Sequence, residues 1–191
     1  IAVRPDSKIT SFEQLAGKRL GVTSKGSAGY TAAIALLKEY GITEESQKQK
    51  GGVIIAVSYG DVDNMFMDGT IDAALALGSL GGVSQGMVQV EERYGTKHLI
   101  PDLEKVKKAS EKDPSLAVGQ KFPGVYKLAP QPYPTLCLDS VECCRADFPE
   151  GLAYDILKVI FSDKVMKGLA ERDPNYMKVF TLEHAAWGAH I

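Results

Sequence analysis

The chain has 191 residues, and its 22 lysines and arginines nearly balance 24 aspartates and glutamates, for a formal net charge of −2. Such a balance provides no strong field for nucleic acid or an anionic membrane surface, so we expect neither as a partner. No apolar run approaches the roughly 20 residues that cross a bilayer, and we expect no direct membrane insertion. The length suffices for one sizeable core, or for a lobe plus parts of another.

The first residues predict a strand and a short helix. The chain opens at Ile1 without a methionine, as a signal-peptide-processed or trimmed product would. Ala2 to Arg4 is typical of the end of a strand. Ser11 to Gln14 fits the S-x-x-Q capping box that begins a helix, and Gly17 fits the stop that ends one.

A strand, a tight loop and a helix are predicted between Leu15 and Leu37. A short apolar run from Arg19 to Val22 leads through polar residues to Ser27. After Ser27, small and apolar residues recur at helical spacing: Tyr30, Ala33, Ile34 and Leu37. We expect this helix to end at Gly41.

The start of this helix is predicted to bind an anion, because first-turn N–H groups lack partners and the helix dipole is positive there. Gly26 and Gly29 allow close approach to the backbone, Ser24 and Ser27 add hydroxyls, and Lys25 adds charge. The nucleotide-binding patterns GxxxxGK(S/T) and GxGxxG are missing, so the favoured ligand is a small carboxylate. Alternatively, Ser27 only caps the helix and the glycines only form a turn.

The next segments predict a loop, a strand and a helix. Thr43 to Gly52 is polar and charged, which indicates a surface loop. Val53 to Val57 is a continuous β-branched apolar run, typical of a strand covered on both faces. Ser58 is expected to cap a helix over Asp61 to Met67.

Another strand and helix follow. Ile71 to Leu77 is predicted to be a buried strand, and Gly78 to Gly82 to open a helix that continues to about Tyr94. A short strand is expected at His98 to Ile100, and Asp102 is expected to cap the lysine-rich helix after it.

Prolines and glycines dominate the segment from Asp113 to Pro134, which predicts a long irregular connection of the kind that is often functional. Pro134 to Arg145 is predicted to be an extended strand. Beyond Asp147 we expect three helices. The first has Pro149 in its first turn and an apolar face of Leu152, Ile156, Val159 and Ile160. The others cover Asp163 to Arg172 and Phe180 to Trp187.

Strands that alternate with helices indicate an α/β fold with a mostly parallel sheet flanked by helices. Ligands of such sheets bind beyond the carboxyl ends of the strands. The loops at Thr23 to Gly29 and at Gly78 to Gly82 both occupy that position. They are therefore the candidate binding loops.

The residues give no positive sign of catalysis, of a cofactor or of a metal site. The three histidines, His98, His184 and His190, lack a ligand spacing such as HExxH, and no GxSxG motif is present. Glu91 and Glu92 are most simply a solvated helix face. We therefore expect a protein that is not an enzyme.

The three cysteines fit no CxxC metal or redox spacing. They are expected to be buried as small hydrophobic residues: Cys137, Cys143 and Cys144.

Several motifs resemble known solute-binding proteins. The pattern from Ser7 to Val22, with Ser11-Phe12 and Gly17-Lys18-Arg19-Leu20, resembles the start of the second lobe of type II periplasmic solute-binding proteins. Five further motifs, in order and spacing, look like the TAXI family, the extracytoplasmic solute receptors of TRAP-type transporters. They are Lys25-Gly26-Ser27-Ala28-Gly29, Asp68-Gly69-Thr70-Ile71-Asp72-Ala73, Phe122-Pro123-Gly124-Val125-Tyr126, Tyr133-Pro134-Thr135 and the run from Phe148 to Phe161.

This resemblance implies two lobes joined by hinge-crossing strands, with a small acidic solute such as glutamate or a dicarboxylate held between them. Residues 1–9 would be the outgoing hinge strand and linker, and residues 10–132 the second lobe. Residues 133–191 would be the returning hinge strand and helices that pack on a first lobe outside this sequence. A periplasmic location, with TRAP membrane permease subunits as partners, is the corresponding expectation.

The resemblance also implies ligand-binding residues. They are Ser24, Lys25, Gly26, Ser27 and Gly29 at the helix start, Gly78 and Ser79 after the third strand, and Tyr126 in the irregular connection. Tyr126 fits a core aromatic as well. Gly29 stands where the family's Gly-Ser-Gly-Thr loop has threonine, and the loss of a hydroxyl can change the choice of solute.

Two alternatives share the fold. One is a cytoplasmic ligand-sensing domain of a transcription regulator, which a DNA-binding helix-turn-helix upstream would indicate. The other is a cofactor-biosynthesis enzyme, which would need a titratable cluster in the cleft.

Overall fold

A computed structural model describes residues 1–75, 85–121, 126–138, 143–172 and 180–181. The strands are β1 (Ala2–Val3), β2 (Arg19–Thr23), β3 (Val53–Val57), β4 (Ala73–Leu75), β5 (Lys97–His98), β6 (Ala117–Lys121) and β7 (Tyr133–Cys137). The helices are α1 (Ala28–Glu39), α2 (Glu44–Gln49), α3 (Tyr59–Met67), α4 (Gln85–Tyr94), α5 (Leu103–Lys112), α6 (Glu150–Ile160) and α7 (Asp163–Arg172), and a 3₁₀ turn covers Glu13–Leu15.

The main sheet has the strand order β3-β2-β4-β1-β5. β2 pairs in parallel with β3 and with β4, whereas β1 runs antiparallel to both β4 and β5. β5 therefore points the same way as β2, β3 and β4, and β1 alone is reversed. This confirms the predicted α/β fold with a mostly parallel sheet flanked by helices.

Two apolar clusters cover the two faces of this sheet. Leu20 and Val22 of β2 pack with Leu37 of α1 on one face. Phe66 of α3 and Val90 of α4 pack on the other face. Because each helix closes one face, the strands at the centre of the sheet are buried.

The sequence predicts the first helix and its boundaries correctly. Ser27 is the N-cap of α1, and Gly41 follows its end with φ +70°. The caps at Ser58 and Asp102 are also confirmed, and their helices begin within two residues of the expected positions. These signals are local in the chain, so the sequence is sufficient to show them.

The segment predicted to be a loop at Thr43 to Gly52 contains α2 instead. The Thr43 hydroxyl accepts from the Ser46 N–H (3.1 Å), and the Ser46 hydroxyl accepts from the Thr43 N–H (2.9 Å). This reciprocal capping box uses serine where glutamate or glutamine is usual. The usual sequence pattern of a helix start is therefore missing from this polar segment.

The capping box predicted at Ser11 to Gln14 is wrong. The chain forms only a 3₁₀ turn there, and Phe12 precedes it without a side-chain cap. Gln14 Oε1 instead accepts from the backbone N–H of Thr10 (2.7 Å). Gly17 ends the turn with φ +78°, as expected.

Strand β3 is less covered than its apolar sequence predicts. It is the outermost strand of the sheet, so one side has no paired strand. Val53 is 44% exposed, and the other four residues are half-buried.

The irregular connection predicted from Asp113 to Pro134 contains β6, which pairs antiparallel with β7. Pro134 lies in this two-stranded sheet opposite Gln120. Both strands are edge strands, where proline is tolerated, and this explains why the proline-rich sequence still forms a sheet. The strand predicted from Pro134 to Arg145 is too long. β7 ends at Cys137, and residues 143–145 are not in a strand.

Helices α6 and α7 confirm the helices predicted after Asp147 and over Asp163 to Arg172. Leu152, Ile156 and Val159 are 49%, 43% and 63% exposed. Within the described residues, this face is therefore only partly covered. The helix predicted at Phe180 to Trp187 lies almost wholly outside the described residues.

The cysteines are free thiols, and the prediction that they are buried is wrong. Cys143 and Cys144 are exposed, and Cys137 is half-buried. Among the described residues, no helix has the length and apolarity required to cross a membrane.

Gln47 of α2 binds three backbone groups of the segment 15–18 at the amino edge of the sheet. Its side chain is fully buried. Nε2 donates to the carbonyls of Leu15 (2.9 Å) and Lys18 (3.2 Å), and Oε1 accepts from the Gly17 N–H.

Replacing Gln47 with alanine leaves these backbone groups buried without their partner, so we expect the free energy of unfolding to fall by about 3 kcal/mol. Urea denaturation at constant pH measures this loss. Gln49→Ala on the same helix is the control, because Gln49 is exposed and we expect a change below about 0.5 kcal/mol. Equal losses in the two variants would contradict the role of Gln47.

Candidate functional site

The carboxyl ends of β2, β4 and β5 lie at one edge of the main sheet. Thr23 ends β2, Leu75 ends β4 and His98 ends β5. The predicted binding loop from Thr23 to Gly29 lies at this edge. The second predicted loop, with Gly78 and Ser79, falls outside the described residues.

The loop before α1 is a tight turn. The Ser27 N–H donates to the Ser24 carbonyl (3.0 Å), and Gly26 has φ +83°. A Cβ at Gly26 would meet no atom within 4 Å, so the space beside this residue is open. The turn needs glycine for its backbone angle rather than for lack of room.

Ser27 is both a helix cap and a polar group at the edge of the sheet. Its Oγ accepts from the Tyr30 N–H (3.2 Å) and lies 2.9 Å from the hydroxyl of the buried Thr23. When Thr23 donates in this pair, the Ser27 hydroxyl hydrogen is available to an anion. The N–H groups of Ala28 and Gly29 belong to the first turn, which leaves them without carbonyl partners in the helix.

Lys25 is directed toward α2. Its Nζ lies 3.4 Å from Glu44 Oε1, and its side chain is 69% exposed. The Tyr30 hydroxyl donates to the same carboxylate (3.4 Å). Exposed ion pairs contribute little stabilising free energy. Lys25 can therefore leave Glu44 and pair with a ligand anion at a small cost in free energy.

A half-open cleft of about 80 Å³ lies between α1, the end of β4 and β7. Its lining includes Gly29 of the first turn of α1, Ala32, Ala33, Leu75, Tyr133 and Thr135. The cleft therefore reaches the helix start that the sequence predicts as the anion site.

Tyr126 lies in the apolar cluster on the α4 side of the sheet. It is 7% exposed, and its ring stacks on His98 with 5.0 Å between the ring centroids. Lys121 Nζ lies over the Tyr126 ring, 5.6 Å from its centroid. This placement favours the core role for Tyr126, and its contact with a ligand stays a prediction.

Glu91 holds the segment that carries Tyr126. The carboxylate is buried and accepts from the backbone N–H groups of Leu128 (2.7 Å) and Lys127 (3.2 Å). The predicted solvated face is wrong for Glu91, although it fits Glu92, whose partner is the exposed ammonium of Lys127 (3.3 Å). The sequence does indicate that Glu91 is buried, because Glu91 lies one helical turn after the buried Met87 and so on the same face of the helix.

His98 is buried between these groups. Its Nε2 lies 3.1 Å from the Thr96 hydroxyl and 3.7 Å from Glu91 Oε1. Burial, with a smaller effect from the positive chain terminus, lowers the pKa of His98 to about 4. Burial also raises the pKa of the Tyr133 hydroxyl. Both side chains are therefore neutral at pH 7.

The arrangement combines a helix start that attracts anions with a cleft beside it whose lining side chains are uncharged. In the described part of the chain, no three histidine, cysteine, aspartate or glutamate side chains are grouped to hold a metal ion. The chemistry that this edge of the sheet supports is the binding of a small anionic molecule.

The mostly parallel sheet with one reversed strand and a helix start at its carboxyl edge defines a lobe like those of periplasmic binding proteins. A family model described as the NMT1-like family matches residues 1–188. The chain belongs to this family, which is a solute-binding, periplasmic-binding-protein-like family. Its members are typically extracytoplasmic.

Glu91→Gln should destabilise the protein, because an amide offers one acceptor oxygen where two backbone N–H groups need partners. We expect a loss of about 2 kcal/mol in the free energy of unfolding, measured by urea denaturation. Glu92→Gln is the matched control on the adjacent, exposed position and should change stability by less than about 0.5 kcal/mol. If the control lost as much, the two backbone contacts would not explain the effect.

Stability should fall between pH 6.5 and 4 because of His98. In this range the unfolded histidine binds a proton that the buried one does not, so acid favours unfolding by at most about 3 kcal/mol. His98→Phe keeps a ring against Tyr126 but cannot titrate, so its unfolding free energy should fall less over the same range. Urea denaturation at several pH values compares the slopes, and identical slopes would contradict the assignment.

Proposed function

We propose that this chain forms one lobe of an extracytoplasmic solute receptor of a TRAP-type transporter and binds a small carboxylate. The observation that carries this proposal is the start of α1, where Ser27 and the first-turn N–H groups lie at the carboxyl edge of the sheet beside an open cleft. The carboxylate would accept from Ala28, Gly29 and the Ser27 hydroxyl, with Lys25 close by.

Two observations support the receptor assignment. Membership of a solute-binding family favours a small-molecule ligand. The order of the sequence motifs favours TRAP permease subunits as the membrane partner. It also favours glutamate or a dicarboxylate as the first ligands to test. Both observations fit a protein that binds and presents a solute rather than one that transforms it.

A second lobe is part of the proposal. The apolar face of α6, with Leu152, Ile156 and Val159 exposed, fits a helix that packs on that lobe. The reversed β1 would then be the outgoing strand between the lobes, and β7 the returning one. Closure of the cleft would be a hinge motion at these strands.

Ser27→Ala removes the hydroxyl that the proposal assigns to the carboxylate. Isothermal titration of the full-length protein, both lobes included, would use glutamate, glutamine, 2-oxoglutarate and succinate. We expect at least one to bind and the variant to bind it about tenfold more weakly, as the loss of a hydrogen bond to a charged group implies.

Thr43→Ala is the control, because the Thr43 hydroxyl caps α2 as Ser27 caps α1 but lies away from the cleft. Both variants lose a helix cap, and Ser27→Ala alone should lose affinity. Equal affinities in the two variants would place the carboxylate elsewhere. If neither these four solutes nor any other small carboxylate binds, the proposed function fails.

A further inference from the structure

The cleft beside α1 differs from the rest of the carboxyl edge in its polarity. Every side chain that lines it is uncharged, and small or aliphatic residues from α1 and β4 form one wall: Gly29, Ala32, Ala33 and Leu75. Tyr133 and Thr135 of β7 stand opposite. The hydroxyls of Tyr133 and Thr135 and the first turn of α1 are thus the places where a ligand can make polar contacts.

The volume of the cleft limits what can enter it. A cavity of about 150 Å³ with aliphatic and aromatic walls holds one benzene molecule. The present cleft, at about 80 Å³, has roughly half that volume. It therefore suits a branched aliphatic group of about three or four carbons.

We infer that the solute is a monocarboxylate with a short branched aliphatic chain. The inference rests on the proposed carboxylate site at α1, and it narrows the class of solute. Gly29 belongs both to the first turn of α1 and to the lining of the cleft. A carboxylate on the first-turn N–H groups therefore directs the attached chain into the cleft.

A second carboxylate is disfavoured in this position. Inside the cleft it would lose hydration and meet no side chain of opposite charge. Methyl groups are favoured in the same environment. When they enter the cleft, their apolar surface and that of Ala32, Ala33 and Leu75 are both removed from water. The cleft thus discriminates between solutes of equal size by their charge.

A matched pair of ligands tests this inference on the full-length protein. In succinate, two carboxylate oxygens replace the two terminal methyl groups of 4-methylpentanoate, so the molecules have nearly the same shape. Isothermal titration should show tighter binding of 4-methylpentanoate by at least tenfold. Propionate, butyrate and pentanoate should gain affinity by about fourfold for each added methylene group that enters the cleft.

A variant of the cleft gives the second test. Ala32→Leu fills the cleft, and 4-methylpentanoate should then bind no more tightly than propionate. Ala35→Leu on the same helix is the control, because Ala35 does not line the cleft, and its ligand affinities should stay within about twofold of the parent protein. Thermal unfolding of both variants confirms that they are folded. The ligand series on the unaltered protein is decisive even if Ala32→Leu does not fold.

The outcomes separate this inference from the proposed function. If succinate binds more tightly than 4-methylpentanoate and Ser27→Ala weakens that binding, the carboxylate site stands and the aliphatic cleft is overturned. If Ala32→Leu binds 4-methylpentanoate as the parent does, the inference is overturned as well. Failure of every acid to bind would remove the carboxylate site, and this inference with it.

Discussion

The parallel pairing of β2 with β3 and β4 is the constraint that places the candidate site. Parallel neighbours cannot be joined by a tight turn, so the chain must cross back over the sheet after each strand. After β2 this crossing is α1, which packs Leu37 against Leu20 and Val22. The start of α1 must therefore follow the carboxyl end of β2, where its first-turn N–H groups face the edge of the sheet.

The two edges of the sheet differ in how their polar groups are satisfied. At the amino edge, the side chain of Gln47 serves three backbone groups. The Asp72 carboxylate accepts from the Arg19 guanidinium (2.7 and 3.1 Å) and from the backbone N–H of Arg19 (2.8 Å). These bonds hold the pKa of Asp72 below its usual range. The protein itself supplies partners at this edge, whereas the first-turn N–H groups of α1 at the carboxyl edge lack carbonyl partners within the helix.

The sequence predicted those elements whose signals are local. Ser27 and Asp102 each cap a helix through contacts two or three residues away, and both were recognised. Two local signals misled, the S-x-x-Q pattern at Ser11 to Gln14 and the unrecognised Thr43–Ser46 box. The other failures involve distant partners: β6 depends on β7, Gln47 on Leu15 and Lys18, and Glu91 on backbone groups at positions 127 and 128. Of the candidate site, the helix start was predictable, but the cleft was not, because β7 joins α1 only in the folded chain.

Tyr133 connects the cleft with the apolar cluster on the α4 side of the sheet. It lines the cleft beside Thr135, and it also packs against the cluster that contains Tyr126. Glu91 fixes the segment behind Tyr126, so a buried carboxylate on α4 supports one wall of a cleft that contains no charged side chain. The charge is compensated by backbone N–H groups, and the cleft can therefore stay apolar while its wall is held by strong hydrogen bonds.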